Sequence, residues 1–366
     1  MSVDTTRPAP TVRPTKAPGR GSARRPWRWQ HYTSCVALVF LFWEAWTITA
    51  WLADDPHPIT RYRDPTSAAY TVAKGYEVGA VVVAVLLGAW VIRACVRERR
   101  LTFDAQLCIA GGLAFWLDTF YNFLVPTNGY SSNFINLGNW CGHAPFVVNK
   151  ACGEMPEPII LIGIVYTFGF LGCALLGCAI LNLLARWFPN TSMARRLLIC
   201  AFVGACFDVP LDVMAMRLNL WNMFSYDHLI LWDSAHRFPL TIFISAMFFF
   251  GGPVVMRYFK NDRGQTVFER GLDHLKPRVR HTVSFLSIVG TMQVLLGGVV
   301  LLTVAPMGLY AQNTPDYPRH IVNDLCDTGY PGAVTGTAYG PCPGTPNFTA
   351  PLRQLPGAQH PPVVAR

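Results

Sequence analysis

The chain has 366 residues, of which 52% are hydrophobic and only 14% are charged, and its formal net charge is +9. Ordinary soluble domains carry about 25% charged residues, so this composition, with a mean hydropathy of +0.29, argues against a soluble protein. The basic residues alternate with apolar segments instead of forming one patch, and this pattern argues against a nucleic-acid-binding protein.

The chain begins with a tail, residues 1–30, that is rich in Pro, Arg, Ser and Thr and has little to bury, so it is predicted to be disordered. Seven apolar runs follow, each near the ~20 residues that cross a bilayer as a helix. The first is too long and uninterrupted for a cleaved secretory signal. We therefore predict an all-α, polytopic membrane helix bundle of about seven transmembrane helices over residues 31–308. The runs are 34–53, 78–96, 106–124, 159–184, 197–216, 238–256 and 283–305.

Lys and Arg residues mark alternate connecting segments. The tail and the segments after the second, fourth and sixth runs, counted with Arg93 at the end of the second run, hold 21 of the 30 basic residues. Cytoplasmic loops of membrane proteins carry such an excess. We therefore predict a multi-pass protein of the cell membrane, with its amino terminus in the cytoplasm and its carboxyl terminus outside.

Two polar segments fall on the predicted outer side. Residues 125–157 form one long loop, and loops of that length often cover a site. Residues 309–366 are rich in Pro and Gly and show no helical or strand periodicity. Each segment contains two cysteines, which in an oxidising compartment are expected to pair as Cys141–Cys152 and Cys326–Cys342.

Carboxylates interrupt two of the apolar runs. Asp118 lies in the third run, and Asp208 and Asp212 lie in the fifth, with no Lys or Arg deep in any run to neutralise them. Ionisable residues at such positions usually face the bundle interior or a water-filled cavity. Asp208 and Asp212 are four residues apart and therefore share one helical face. The alternative is that these side chains only hydrogen-bond their neighbours and fix the packing.

The predicted topology puts all three aspartates in the outer halves of their helices. Within a helix, Asp118 would share its face with Tyr121 and Asn122. Trp140 and His143 lie in the long outer loop, where their default roles are an interface anchor and a solvated side chain. One outward-opening pocket would collect Asp118, Tyr121, Asn122, Asp208 and Asp212, with Glu157, Trp140 and His143 at its rim.

Three stretches resemble, in their order along the chain, the AveC-type spirocyclase family. They are WLDTFYNFLVPTNGYSSNFINLGNW at 116–140, EPIILIGIVYTF at 157–168 and FDVPLDVMAMRLNLWNMF at 207–224. That family consists of multi-pass actinobacterial proteins associated with spiroketal formation in polyketides, a branch of secondary metabolism. The positions that match its acidic motifs are Asp118, Asn122, Glu157, Asp208 and Asp212.

The resemblance implies a membrane acid–base enzyme that cyclises or dehydrates a hydrophobic hydroxy-ketone or polyketide-like substrate. Asp212 would act as the acid, and Asp208 or Asp118 as the stabilising base. Tyr121 and Asn122 would orient substrate oxygens. No redox cofactor or metal is required. The expected partners are a hydrophobic small molecule and membrane lipid, and no nucleic acid.

Two other functions use intramembrane carboxylates. An isoprenoid or carotenoid hydratase or cyclase protonates a double bond with such an acid. A proton-coupled transporter uses it in a proton relay. The sequence alone leaves both open.

Overall fold

The computed structural model describes residues 28–124, 127–223, 240–310 and 318–323, and this part of the chain is a bundle of helices. A π-helical turn, Val165–Gly169, joins α4 to α5, and a two-stranded antiparallel ribbon pairs β1 with β2. The helices are α1 Trp29–Ala53, α2 Ala68–Glu98, α3 Phe103–Ala114, α4 Ile159–Ile164, α5 Phe170–Trp187, α6 Met193–Arg217, α7 Leu240–Tyr258, α8 Pro277–Tyr310 and α9 Arg319–Val322, and the strands are β1 Asn128–Tyr130 and β2 Trp221–Met223.

Six helical stretches are long and apolar enough to cross a membrane: α1, α2, the α4–α5 unit, α6, α7 and the first 27 residues of α8. Their outer faces carry large exposed apolar side chains, such as Val82 and Leu86 of α2. Soluble helices show polar residues there instead. The prediction of an all-α bundle of apolar helices is confirmed, whereas the number seven and the orientation of the termini stay predictions.

The third apolar run differs from the other six. It forms the 12-residue α3 and continues as a 3₁₀ helix, Phe115–Asn122, and together they rise about 34 Å. On either side of this unit, α2 and α4–α5 run parallel, because Leu161 packs against the cluster that contains Ala73 and Gly88 lies beside Phe168 further along both helices. Two parallel neighbours require a return of the chain between them, and α3 with the 3₁₀ helix lies in that interval; a seventh membrane span there stays a prediction.

At one end of the bundle, the connecting segments pack into a layer that we name the cap. Arg63 donates hydrogen bonds to the carbonyls of Ser132 (3.0 Å) and Phe134 (2.7 Å). The Ser132 N–H donates to the carbonyl of His320 in α9 (2.7 Å), so the described piece of the carboxyl-terminal segment is docked on this layer. The cap consists of residues 54–67, 127–158, 218–223 and 318–323.

The opposite end carries the connectors that are rich in Lys and Arg, and we name it the basic end. Arg257 of α7 binds both carboxylate oxygens of Asp104 in α3 (2.8 and 3.1 Å). α1 and α8 both begin at this end and run parallel, with the hydroxyls of Thr33 and Ser287 2.6 Å apart. Residues 1–27 of the predicted tail 1–30 lie outside the described residues, as do residues 324–366 with Cys326 and Cys342.

Candidate active site

A cavity of about 200 Å³ lies where the cap meets the bundle. Its polar lining is dominated by carboxyl and phenol groups, and its apolar lining comes from α4, α7, α8, β2 and the π-helical turn. The carboxyls and phenols are Asp118, Asp208, Asp212, Tyr121, Tyr130 and Tyr166. The three aspartates that the sequence singles out therefore converge on one cavity, although they come from two separate elements.

Asp118 is 4% exposed and is held by two phenols. The Tyr166 hydroxyl donates to Oδ1 (2.8 Å) and the Tyr130 hydroxyl donates to Oδ2 (2.9 Å). The carboxyl of Glu157 lies within hydrogen-bonding reach of the same group. Asp118 is therefore the acceptor in both phenol hydrogen bonds.

Local backbone geometry brings these groups together. Tyr166 lies in the π-helical turn Val165–Gly169, and π-turns occur often at functional sites. The turn packs directly on α3, because a Cβ atom at Gly111 would collide with the Tyr166 carbonyl oxygen. Tyr130 ends β1, where it pairs with Trp221 of β2.

Glu157 lies just before α4 and is 1% exposed. Burial first, and then the negative charge of Asp118, raise the pKa of Glu157 well above its ordinary value. A protonated Glu157 can donate a hydrogen bond to Asp118, and its Oε1 has no hydrogen-bond partner in the described part of the chain. Burial also keeps the pKa of Tyr130 well above its usual range, with the charges of Asp118 and Glu157 adding to the effect, so its phenol remains a donor.

Asp208 and Asp212 face the cavity from α6, one turn apart on either side of Pro210. Both are half-buried, and neither has a hydrogen-bond partner within residues 127–223 or the other described ranges. Across the cavity lining, Ser245 of α7 and Thr303 of α8 form a buried hydroxyl pair (2.9 Å). The α6 pair is therefore free to meet a ligand, whereas Asp118 is already bonded.

A comparison with known proteins supports the family resemblance of the three sequence stretches. Residues 98–320 match the family model described as "Spirocyclase AveC-like". The match spans more than half of the chain and includes every residue that lines the cavity. The chain belongs to the AveC-like spirocyclase family. No curated protein and no solved structure matches it.

In this AveC-like chain, the two residues that were predicted to share the face of Asp118 lie in different places. Tyr121 lines the cavity, but Asn122 does not. The amide oxygen of Asn122 instead accepts the backbone N–H groups of Thr127 (2.9 Å) and Asn128 (3.0 Å). The expectation of one shared face assumed an α-helix. A 3₁₀ helix has three residues per turn, so position i+3 keeps the face of Asp118 and position i+4 leaves it.

The predicted rim residues also occupy other places. Trp140 is buried, and its indole N–H donates to the Trp116 carbonyl (2.8 Å). His143 lies 3.7 Å from a carboxylate oxygen of Asp54. Neither these two side chains nor Glu157 line the cavity of this AveC-like chain; Glu157 reaches it only through Asp118.

The two loop cysteines are close to the same region. Cys141 and Cys152 form a disulfide with their Cα atoms 5.6 Å apart, and both are fully buried. The bond closes a loop of the cap that contains His143 and begins one residue after Trp140. The predicted partners Cys326 and Cys342 fall outside the described ranges.

Tyr130 and Tyr166 are the site residues that the sequence did not single out. Both lie within the stretches that carry the family resemblance, NGY and GIVYTF. A tyrosine in an apolar run is a common packing residue, so its type alone carries a much weaker signal than an aspartate. Their pairing with Asp118 depends on the π-turn and the ribbon, which have no simple pattern in the sequence.

Proposed function

We propose that this chain is an integral membrane acid–base enzyme that closes a hydrophobic, polyketide-like hydroxy-ketone into a spiroketal with loss of water. The observation that carries the proposal is the convergence of Asp118, Asp208 and Asp212 on one partly apolar cavity. Family membership supports the same reaction class. The substrate's polar ketone and hydroxyls would lie among the carboxyls, and its carbon chain would lie against residues such as Ile242 and Phe249.

The chemistry divides between the two groups of carboxyls. Spiroketal closure needs an acid that protonates the departing hemiketal hydroxyl and an anion that stabilises the oxocarbenium ion. Asp212 donates the proton, water leaves, and ionised Asp208 faces the cation. The second substrate hydroxyl then attacks the carbon and loses its proton on the Asp118 side of the cavity. One proton is delivered and one is recovered, so the net product besides the spiroketal is water.

The position of the cavity, where the cap meets the bundle, fits a lipid-soluble substrate. We place the enzyme in the cell membrane, with the basic end in the cytoplasm and the cap outside, because the connectors rich in Lys and Arg collect at one end of the bundle. The cavity then lies near the outer membrane surface. A hydrophobic substrate can reach it from the surrounding lipid, and a small polar product such as water can leave through the cap.

The test is product formation by membranes from an expression host that carry Asp208→Asn, Asp212→Asn or the control Asp262→Asn. Asp262 is an exposed residue at the basic end. Each cavity variant should form spiroketal at least about 100-fold more slowly, the usual contribution of an acid–base group. Full activity in both cavity variants would refute the proposal.

Metabolite and lipid profiling of a deletion strain distinguishes the remaining functions. Accumulation of an open-chain hydroxy-ketone, reversed by the wild-type gene and not by Asp212→Asn, supports a spirocyclase. A changed isoprenoid would instead indicate a hydratase or cyclase of that class. Uptake by vesicles that collapses with the proton gradient would indicate a transporter.

A further inference from the structure

The hydrogen bonds of Asp118 leave little of its carboxylate for a substrate. A carboxylate offers about four lone-pair positions. Tyr166 occupies one on Oδ1, Tyr130 occupies one on Oδ2, and Glu157 lies within reach of a third. The group is also 4% exposed. About one position of the carboxylate therefore remains for a substrate, so Asp118 is poorly placed to take a proton from it directly.

The two phenols keep acceptor positions of the kind that Asp118 has mostly filled. Both line the cavity, and a phenol oxygen that donates its proton still has lone pairs to accept another hydrogen bond. The backbone of each tyrosine is also held in place. The contact of the π-turn with Gly111 holds Tyr166, and the pairing of β1 with β2 holds Tyr130. Neither needs to move to bridge Asp118 and a ligand.

We propose that Tyr130 and Tyr166 are catalytic residues of this site and that Asp118 acts only through them. This inference rests on the proposed function and deepens it. The substrate hydroxyl transfers its proton to a phenol oxygen while an electron pair of the hydroxyl oxygen forms the new C–O bond. The same phenol passes its own proton to Asp118. The proton on Asp118 returns through the phenol to water or to the α6 pair when the product leaves, which restores the starting state.

The experiment measures kcat and KM for spiroketal formation by four variants. They are the double variant Tyr130→Phe/Tyr166→Phe, Asp118→Asn, the triple variant that combines all three changes, and the control Tyr258→Phe at the basic end. We expect the double variant and Asp118→Asn each to lower kcat by about 100-fold or more with little change in KM. The triple variant should be no slower than the double variant, and the control should match wild type.

Two kinetic results would overturn the inference. One is a double variant that keeps kcat within about threefold of wild type. The other is a triple variant that is slower than the double variant by a further factor of ten, because Asp118 would then act without the phenols. If the double variant does not accumulate in membranes, the single variants Tyr130→Phe and Tyr166→Phe are compared in the Asp118→Asn background in the same way.

A purely structural role for the phenols is tested separately. Replacing Tyr166 by 3-fluorotyrosine keeps its shape and hydrogen bond but makes the phenol more acidic, so the pH profile of kcat should move to lower pH. An unchanged profile would indicate packing alone. If wild-type membranes form no spiroketal, the proposed function itself fails; normal wild-type activity with an unaffected double variant refutes only the role of the phenols.

Discussion

The substitution Glu157→Gln should change how the stability of this protein depends on pH. Glu157 is buried beside Asp118, and its pKa is raised by burial and by the charge of that neighbour. A glutamine has the same size and carries N–H donors that can replace the carboxyl proton in the hydrogen bond to Asp118. The variant therefore keeps the contact and removes the titration.

The direction of this pH dependence follows from the raised pKa of Glu157. An unfolded glutamate loses its proton near pH 4.3, whereas folded Glu157 keeps it to higher pH. Between these two values the native state binds more protons than the unfolded state, so its stability falls as the pH rises. While only the native state holds this proton, the slope is about 1.4 kcal/mol per pH unit, so wild type should lose stability as the pH rises above the unfolded value, and Glu157→Gln should not lose it.

The assay is thermal unfolding in detergent, followed by the loss of the helical circular dichroism signal between pH 5 and pH 7. The difference in Tm between Glu157→Gln and wild type should grow in favour of the variant as the pH rises. Glu154→Gln is the matched control, because Glu154 is an exposed glutamate in the same part of the cap, and its curve should follow wild type. Parallel curves for all three proteins would refute the reasoning.

Two further substitutions test how the cap and the π-turn are held. Gly111→Ala should displace Tyr166 through the collision of the new Cβ with its carbonyl. This should lower stability by about 1–3 kcal/mol and product formation at least about tenfold. In the control Gly75→Ala the new Cβ meets nothing within 4 Å, so helix propensity should raise stability by about 1 kcal/mol and product formation should not change. Replacing Cys141 and Cys152 by serine should lower stability by about 3 kcal/mol, as expected for a closed loop of this length, with a sequence separation of 11. A reductant should lower the Tm of wild type but not that of the serine variant, and a wild-type Tm indifferent to reductant would contradict this expectation.

The parts of the site that lie on regular helix were predictable from the sequence. Asp208 and Asp212 share a face because α6 keeps its α-helical period through Pro210. Asp118 was identified because a carboxylate in an apolar run is rare and costly. In each case, the residue type and the helical period together were sufficient to place the side chain.

The prediction lost accuracy where the helix type changes. The step from α3 to a 3₁₀ helix at Phe115 alters the angle between successive side chains, and it separates Asn122 from Asp118. Nothing in the sequence marks this step, because both helix types accept the same apolar residues. The burial of Trp140 has a similar origin: the loop folds inward onto Trp116 through long-range contacts, which a reading of local sequence cannot supply.

The parallel packing of α1 on α8 has a consequence for how this protein can be tagged and followed. Because both helices begin at the basic end, we expect the chain to enter α1 and to leave α8 on opposite sides of a membrane that both helices cross. A fluorescent protein that matures only in the cytoplasm would therefore be fluorescent when fused to one end of the chain and non-fluorescent when fused to the other. The cap would also have to assemble after translocation, since the ribbon joins residues that are separated by three helices.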